Sequence, residues 1–118
     1  MPQSPDADAA TREAQGPPLL LADFQRVIHE RYHDADAARG TPATFMWFVE
    51  EIGELATTLH KVAGEAPHTS GGSTHADLEG EFADVLAWLC TLPNINGIDL
   101  EGAVRRKYLG QTPPQGHK

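Results

Sequence analysis

A chain of 118 residues has room for one small domain and little more. Its formal net charge of −8 argues against nonspecific binding to nucleic acid or anionic membranes, while 40% hydrophobic residues fits a globular protein. No apolar run approaches the roughly 20 residues of a membrane span, and a start carrying Asp6, Asp8 and Glu13 is not that of a secretory signal, so a cytoplasmic location is expected.

Residues 1–18 are rich in Ala, Asp, Gln and Pro without hydrophobic periodicity and are expected to be disordered, leaving 19–110 as the folded domain. A first helix is predicted from Leu19 to about Asp36, with Leu20, Phe24, Val27 and Ile28 making one apolar stripe. Arg39-Gly40-Thr41-Pro42 ends it; Gly40 suits the turn, and Thr41 before Pro42 reads as the N-cap of a second helix. That helix should run from about Pro42 to Val62 on a stripe of Phe45, Phe48, Ile52, Leu55, Leu59 and Val62. Gly53, in its middle, costs roughly 1 kcal/mol relative to alanine and suggests a close approach by another helix or a ligand.

The stretch from Gly64 to His75 has the composition of a mobile loop, either a plain connector or a lid. A third helix is expected from about Ala76 to Leu92 on Leu78, Phe82, Val85, Leu89 and Leu92, broken by Pro93-Asn94-Ile95-Asn96-Gly97. Cys90, the lone cysteine, excludes an internal disulfide and reads as a buried, inert thiol. Asp99 can cap a short fourth helix, Leu100 to about Leu109, before a flexible tail at 111–118. With no strand pattern and no repeat, the fold is all-α, most economically a four-helix bundle.

Chemistry concentrates in two acidic pairs. Glu50, Glu51 and Glu54 crowd the flank of the second stripe, and Glu81 with Asp84 does the same on the third helix. Acids at i and i+3 share a helix face, so each helix can aim two carboxylates at one point. Massed negative charge beside an apolar stripe needs an offset, and a bound cation is the simplest. Oxygen donors without His or Cys suit magnesium or manganese better than zinc. Solvated acidic faces are the plainer alternative.

Two further patterns compete. His29-Glu30-Arg31-Tyr32-His33 spells the H-E-x-x-H of zinc peptidases, but the chain has little left to build a third ligand and a cleft, and Ile28 and Tyr32 are expected to face the core. Di-iron bundles need Glu-x-x-His pairs, which neither acidic pair provides.

The stretches Glu51-Ile52-Gly53-Glu54-Leu55 and Glu81-Phe82-Ala83-Asp84-Val85-Leu86 resemble the ExxE and ExxD signatures of the MazG-like, all-α nucleoside triphosphate pyrophosphohydrolases. The likeness runs from about Phe24 to Tyr108. It implies a Mg²⁺-dependent enzyme, with Mn²⁺ a possible substitute, that cleaves a nucleoside triphosphate to monophosphate and pyrophosphate by means of water activated at the metal. By the resemblance Glu51, Glu54, Glu81 and Asp84 are the metal ligands, and Glu50 is a further ligand or the base that orients water. Leu78 stands where the family often has a lysine, so phosphate binding should fall on Lys61, Asn94, Arg105 and Lys107, with Arg106 nearby. A homodimer or tetramer is expected from the family and from the apolar area that Trp47, Trp88 and the second stripe offer beyond what a small monomer covers. The other readings are a regulatory module that binds a cation or nucleotide without hydrolysis, and a purely structural helical partner.

Overall fold

The computed structural model describes residues 16–64 and 74–110. The expectations for residues 1–15, for most of the loop after Gly64 and for the 111–118 tail lie outside the described residues. Four helices follow in order, α1 (Leu21–Arg39), α2 (Thr41–Ala63), α3 (His75–Ile95) and α4 (Leu100–Tyr108), and no strand occurs among the described residues.

A single residue separates α1 from α2. Gly40, at φ 83°, donates its N–H to the Asp36 carbonyl at 3.0 Å, and its own carbonyl accepts from the Thr44 N–H at 3.1 Å. Only glycine holds that φ without strain, so the chain turns in one step. Thr41 is therefore the first helical residue of α2 rather than its cap, and Pro42 sits in the first turn, where a missing N–H does no harm. At the other end Gly64, left-handed at φ 75°, closes α2 onto the His60 and Lys61 carbonyls.

Helix α3 starts one residue earlier than expected, at His75, because Thr74 and Asp77 form a capping box. The Asp77 N–H donates to Thr74 Oγ1 at 3.1 Å, and the Thr74 N–H donates to Asp77 Oδ2 at 2.8 Å. That backbone bond holds the Asp77 carboxyl below its usual range. Nor does Pro93 break α3; the helix runs on to Ile95. Asn96 makes this possible by donating its Nδ2 to the Leu92 carbonyl at 2.8 Å and its N–H to the Pro93 carbonyl at 3.2 Å, which satisfies groups the last turn leaves open. Asp99 caps α4 as expected, accepting from the Gly102 N–H at 3.2 Å.

The main packing is α2 against α3, antiparallel: the rings of Trp47 and Trp88 stack at 6.3 Å, and Asn96 reaches Thr41 at 3.2 Å. Helix α1 lies across the C-terminal half of α3, and α4 leans on the N-terminal half of α1. The α1 junction is polar. Gln25 donates to Asn94 Oδ1 and the Ile98 carbonyl at 2.9 and 2.7 Å, and accepts from the Leu100 N–H at 3.0 Å. Its side-chain amide is thereby used at both ends, as burial requires.

The apolar stripes come out differently from expectation. Among the described residues Ile28 and Cys90 are the buried hydrophobic side chains, whereas Phe45, Ile52, Leu59 and Val62 of the α2 stripe are exposed, as is Phe82 on α3. Phe48, Leu55, Leu78, Val85 and Leu92 are half-buried, and Tyr32, expected in the core, is exposed. Helical spacing places residues on a common face but does not say what covers that face. Together with Trp47, Val49, Leu86 and Leu89 the exposed side chains of α2 and α3 leave an apolar surface that the described residues do not bury.

Candidate metal centre

The antiparallel register of α2 and α3 brings the acids of the two motifs together. One carboxylate oxygen each from Glu51, Glu81 and Asp84 can be chosen so that all three lie within 4.8 Å of one another. Glu51 and Glu81 are half-buried and Asp84 is exposed, so the group opens toward solvent on one side. Oε2 of Glu51 and Oε2 of Glu81 are shut off from water and have no hydrogen-bond partner.

Two orphaned buried carboxylate oxygens are costly unless a proton or a cation meets them. The electrostatics say the same. Burial pushes the Glu51 carboxyl above its ordinary value, and the nearby charges of Glu54, Asp84 and Glu81, with a hydrogen bond to Glu54, push it further in the same direction. The residues therefore fit a hard divalent cation, which takes oxygen ligands at close quarters.

Glu54 stands beside Glu51 but outside the convergent trio. With Glu50, Gly53, Thr57, Thr58 and Glu81 it lines an open cleft of about 550 Å³. Among the described residues nothing within 4 Å would meet a Cβ at Gly53, so no described helix makes the close approach expected there; the glycine lines this cleft instead. On the other side of the trio a second cleft of about 350 Å³ runs between α1 and α3, lined by Asp84, Trp88, Thr91, Asp36, Arg39 and the apolar Ile28 and Ala87, with Tyr32 at its edge.

The basic candidates lie elsewhere in this chain. Lys61 is half-buried in the last turn of α2, and Arg105 and Lys107 are exposed on α4, Arg105 within 4.0 Å of Glu101 and Lys107 over the ring of Tyr108. Asn94 follows Asp84 by ten positions, about 15 Å along a helix, and its Nδ2 donates to the Gln25 carbonyl at 3.2 Å. Leu78 is half-buried. In the H-E-x-x-H stretch the rings of His29 and His33 stack at 4.0 Å, but neither belongs to a group of three or more possible metal ligands among the described residues. Cys90 is fully buried, which pushes its thiol up and away from reactivity.

Asp36, Arg39 and Thr91 escaped the reading of the sequence as site residues. The one local signal was Asp36 and Arg39 three apart at the end of α1, a spacing that on an exposed face means little.

The sequence pattern of the MazG nucleotide pyrophosphohydrolase domain matches residues 40–109, more than half of the chain and both acidic motifs. The chain belongs to that family. A search of curated proteins finds no match. MazG enzymes are metal-dependent hydrolases of nucleotides, and the acidic trio is a possible metal-binding cluster of that kind. The matched segment begins at Gly40, so α1, which supplies half of the second cleft, lies outside it. No described helix is long and apolar enough to cross a membrane.

Proposed function

We propose that this MazG domain is a magnesium-dependent nucleoside triphosphate pyrophosphohydrolase, splitting its substrate between the α and β phosphates to give a monophosphate and pyrophosphate. The observation that carries the reading is the convergence of Glu51, Glu81 and Asp84, with two carboxylate oxygens buried and unpaired, inside the matched domain. These three side chains and Glu54 would hold Mg²⁺, or Mn²⁺ in its place. When bound, the cation supplies charge neutralisation for the triphosphate and a lowered pKa for attacking water.

The chain's own residues do the rest. Glu50, an exposed residue lining the acidic cleft, is proposed as a further ligand or as the base that orients water and accepts its proton. Lys61, Arg105, Lys107 and Asn94 are proposed to meet the phosphates, and because α4 leans on α1 rather than on the acidic trio, a second copy of the chain is the natural source of such contacts. The exposed apolar surface of α2 and α3 supports a homo-oligomer for the same reason. Sedimentation at micromolar concentration should show a dimer or larger; a monomer alone would contradict this.

A second reading, a module that binds a cation or nucleotide without hydrolysing it, draws on Leu78, an apolar side chain where the resemblance leads one to expect a phosphate-binding lysine. Pyrophosphate release separates the two. With Mg²⁺ or Mn²⁺ and a panel of ribo- and deoxynucleoside triphosphates, at least one substrate should yield equimolar monophosphate and pyrophosphate, dependent on the cation. Binding without any pyrophosphate would favour the module.

A further inference from the structure

The cleft between α1 and α3 shares Asp84 with the acidic trio, and Trp88 lies one helical turn farther along the same wall. A ligand whose phosphates are held at the trio has its other end one turn away, against Trp88. Ile28, Ala87 and Trp88 give the cleft apolar walls, and Asp36, Arg39 and Thr91 form a polar cluster between them. Asp36, only 4% exposed, has Oδ1 at 3.0 Å from Arg39 Nη2, while Oδ2 accepts from the Thr91 hydroxyl at 3.3 Å. Arg39 in turn donates from Nη1 to Thr44 Oγ1 at 3.2 Å and lies over the Trp88 ring, 5.2 Å from its centroid. The carboxylate is thus held from α1 and α3, and Thr44 of α2 braces the Arg39 that holds it.

Resting on the pyrophosphohydrolase reading, we propose that this cleft receives the substrate's base and that Asp36 makes it select bases carrying an exocyclic amino group over those with a carbonyl at that position. A carboxylate only accepts, and each of its oxygens keeps a lone pair beyond the bonds to Arg39 and Thr91. An amino group supplies the missing donor. A carbonyl in its place sets oxygen against oxygen and leaves both unpaired in a nearly dry site, which is where hydrogen-bonding pockets discriminate most strongly. The Arg39 fork is a positioning group: it holds Asp36 in place and offers its remaining N–H donors to the ring nitrogen beside the amino group. Asp36 and Arg39, on α1, lie outside the matched segment, so the match by itself does not imply this selectivity.

The test uses substrate pairs that differ in that group and in the ring nitrogen beside it, which is an acceptor next to the amino group and an N–H next to the carbonyl: dCTP against dUTP and dATP against dITP. We expect kcat/KM with Mg²⁺ to favour the amino member of each pair by about tenfold or more. Asp36→Asn, whose amide can turn its N–H₂ toward a carbonyl, should bring both ratios near one. Arg39→Lys should shrink them, a change in ratio that mere loss of stability would not produce. The matching monophosphates, followed by quenching of Trp47 and Trp88 fluorescence, should rank in the same order. If monophosphates show the preference while no triphosphate is hydrolysed, the base assignment stands and the pyrophosphohydrolase reading falls. Hydrolysis with ratios within twofold of one for the wild-type protein, or ratios unchanged in a folded Asp36→Asn protein, would overturn the assignment and leave the enzyme reading intact; if that variant does not fold, the wild-type ratios decide.

Discussion

Glu51→Gln is expected to lower kcat/KM by at least about 100-fold, since losing even an outer-shell partner of a metal site costs 10–100-fold and Glu51 is one of the three convergent acids. The same change should stabilise the cation-free protein at neutral pH. Burial and the neighbouring acids Glu54, Asp84 and Glu81 raise the Glu51 carboxyl in the folded chain, so the folded state binds that proton more tightly than the unfolded one. Its contribution to stability is complete below the ordinary carboxylate value near 4.5 and is lost as pH rises through the folded value. In EDTA, the melting temperature of the wild-type protein should therefore fall relative to that of Glu51→Gln as pH rises from about 4 to 7. A gap between the two proteins that does not change with pH would show that Glu51 carries no such electrostatic cost.

Magnesium should reverse that cost. A ligand that binds only the folded state stabilises it by about 2.7 kcal/mol at 100 times its Kd, and in a domain of this size each kcal/mol moves the melting temperature by roughly 4–8 °C. Saturating Mg²⁺ is thus expected to raise the wild-type melting temperature by about 10 °C or more. Glu51→Gln, Glu81→Gln and Asp84→Asn should each lose most of that gain, because each removes one of the three convergent oxygens. Monovalent salt at matched ionic strength provides the control: screening acts on every surface charge, so a gain equal to that from Mg²⁺ would mean diffuse relief of repulsion rather than a site.

The acidic pairs were legible in the sequence because helical spacing alone puts Glu81 and Asp84 on one face, whatever surrounds them. What spacing does not carry is register. That Glu51 rather than Glu54 converges with the α3 pair depends on how α2 slides against α3, which side chains such as Trp47, Trp88, Thr41 and Asn96 decide between them. The α2 stripe was visible as a stripe, but Phe45 and Ile52 turn out exposed because covering them takes a surface that the described chain does not provide. Thr74 and Asp77 spell a capping box, yet the Gly- and Ser-rich residues just before them disguised where α3 begins. Asp36 and Thr91 are 55 positions apart, and no local pattern announces such a contact. The polar floor of the second cleft is a product of tertiary packing and could be found only from coordinates.

The central proposal is a divalent ion shared between the middle helices and the phosphates of a substrate. Electron paramagnetic resonance of Mn²⁺ added to the protein tests this directly. The free-ion signal should be depleted by the wild-type chain, more strongly when a nucleoside triphosphate analogue with a non-hydrolysable α–β bridge is present, and left nearly intact by the Glu51→Gln, Asp84→Asn double variant. Equal depletion by the wild-type chain and by the double variant would contradict it.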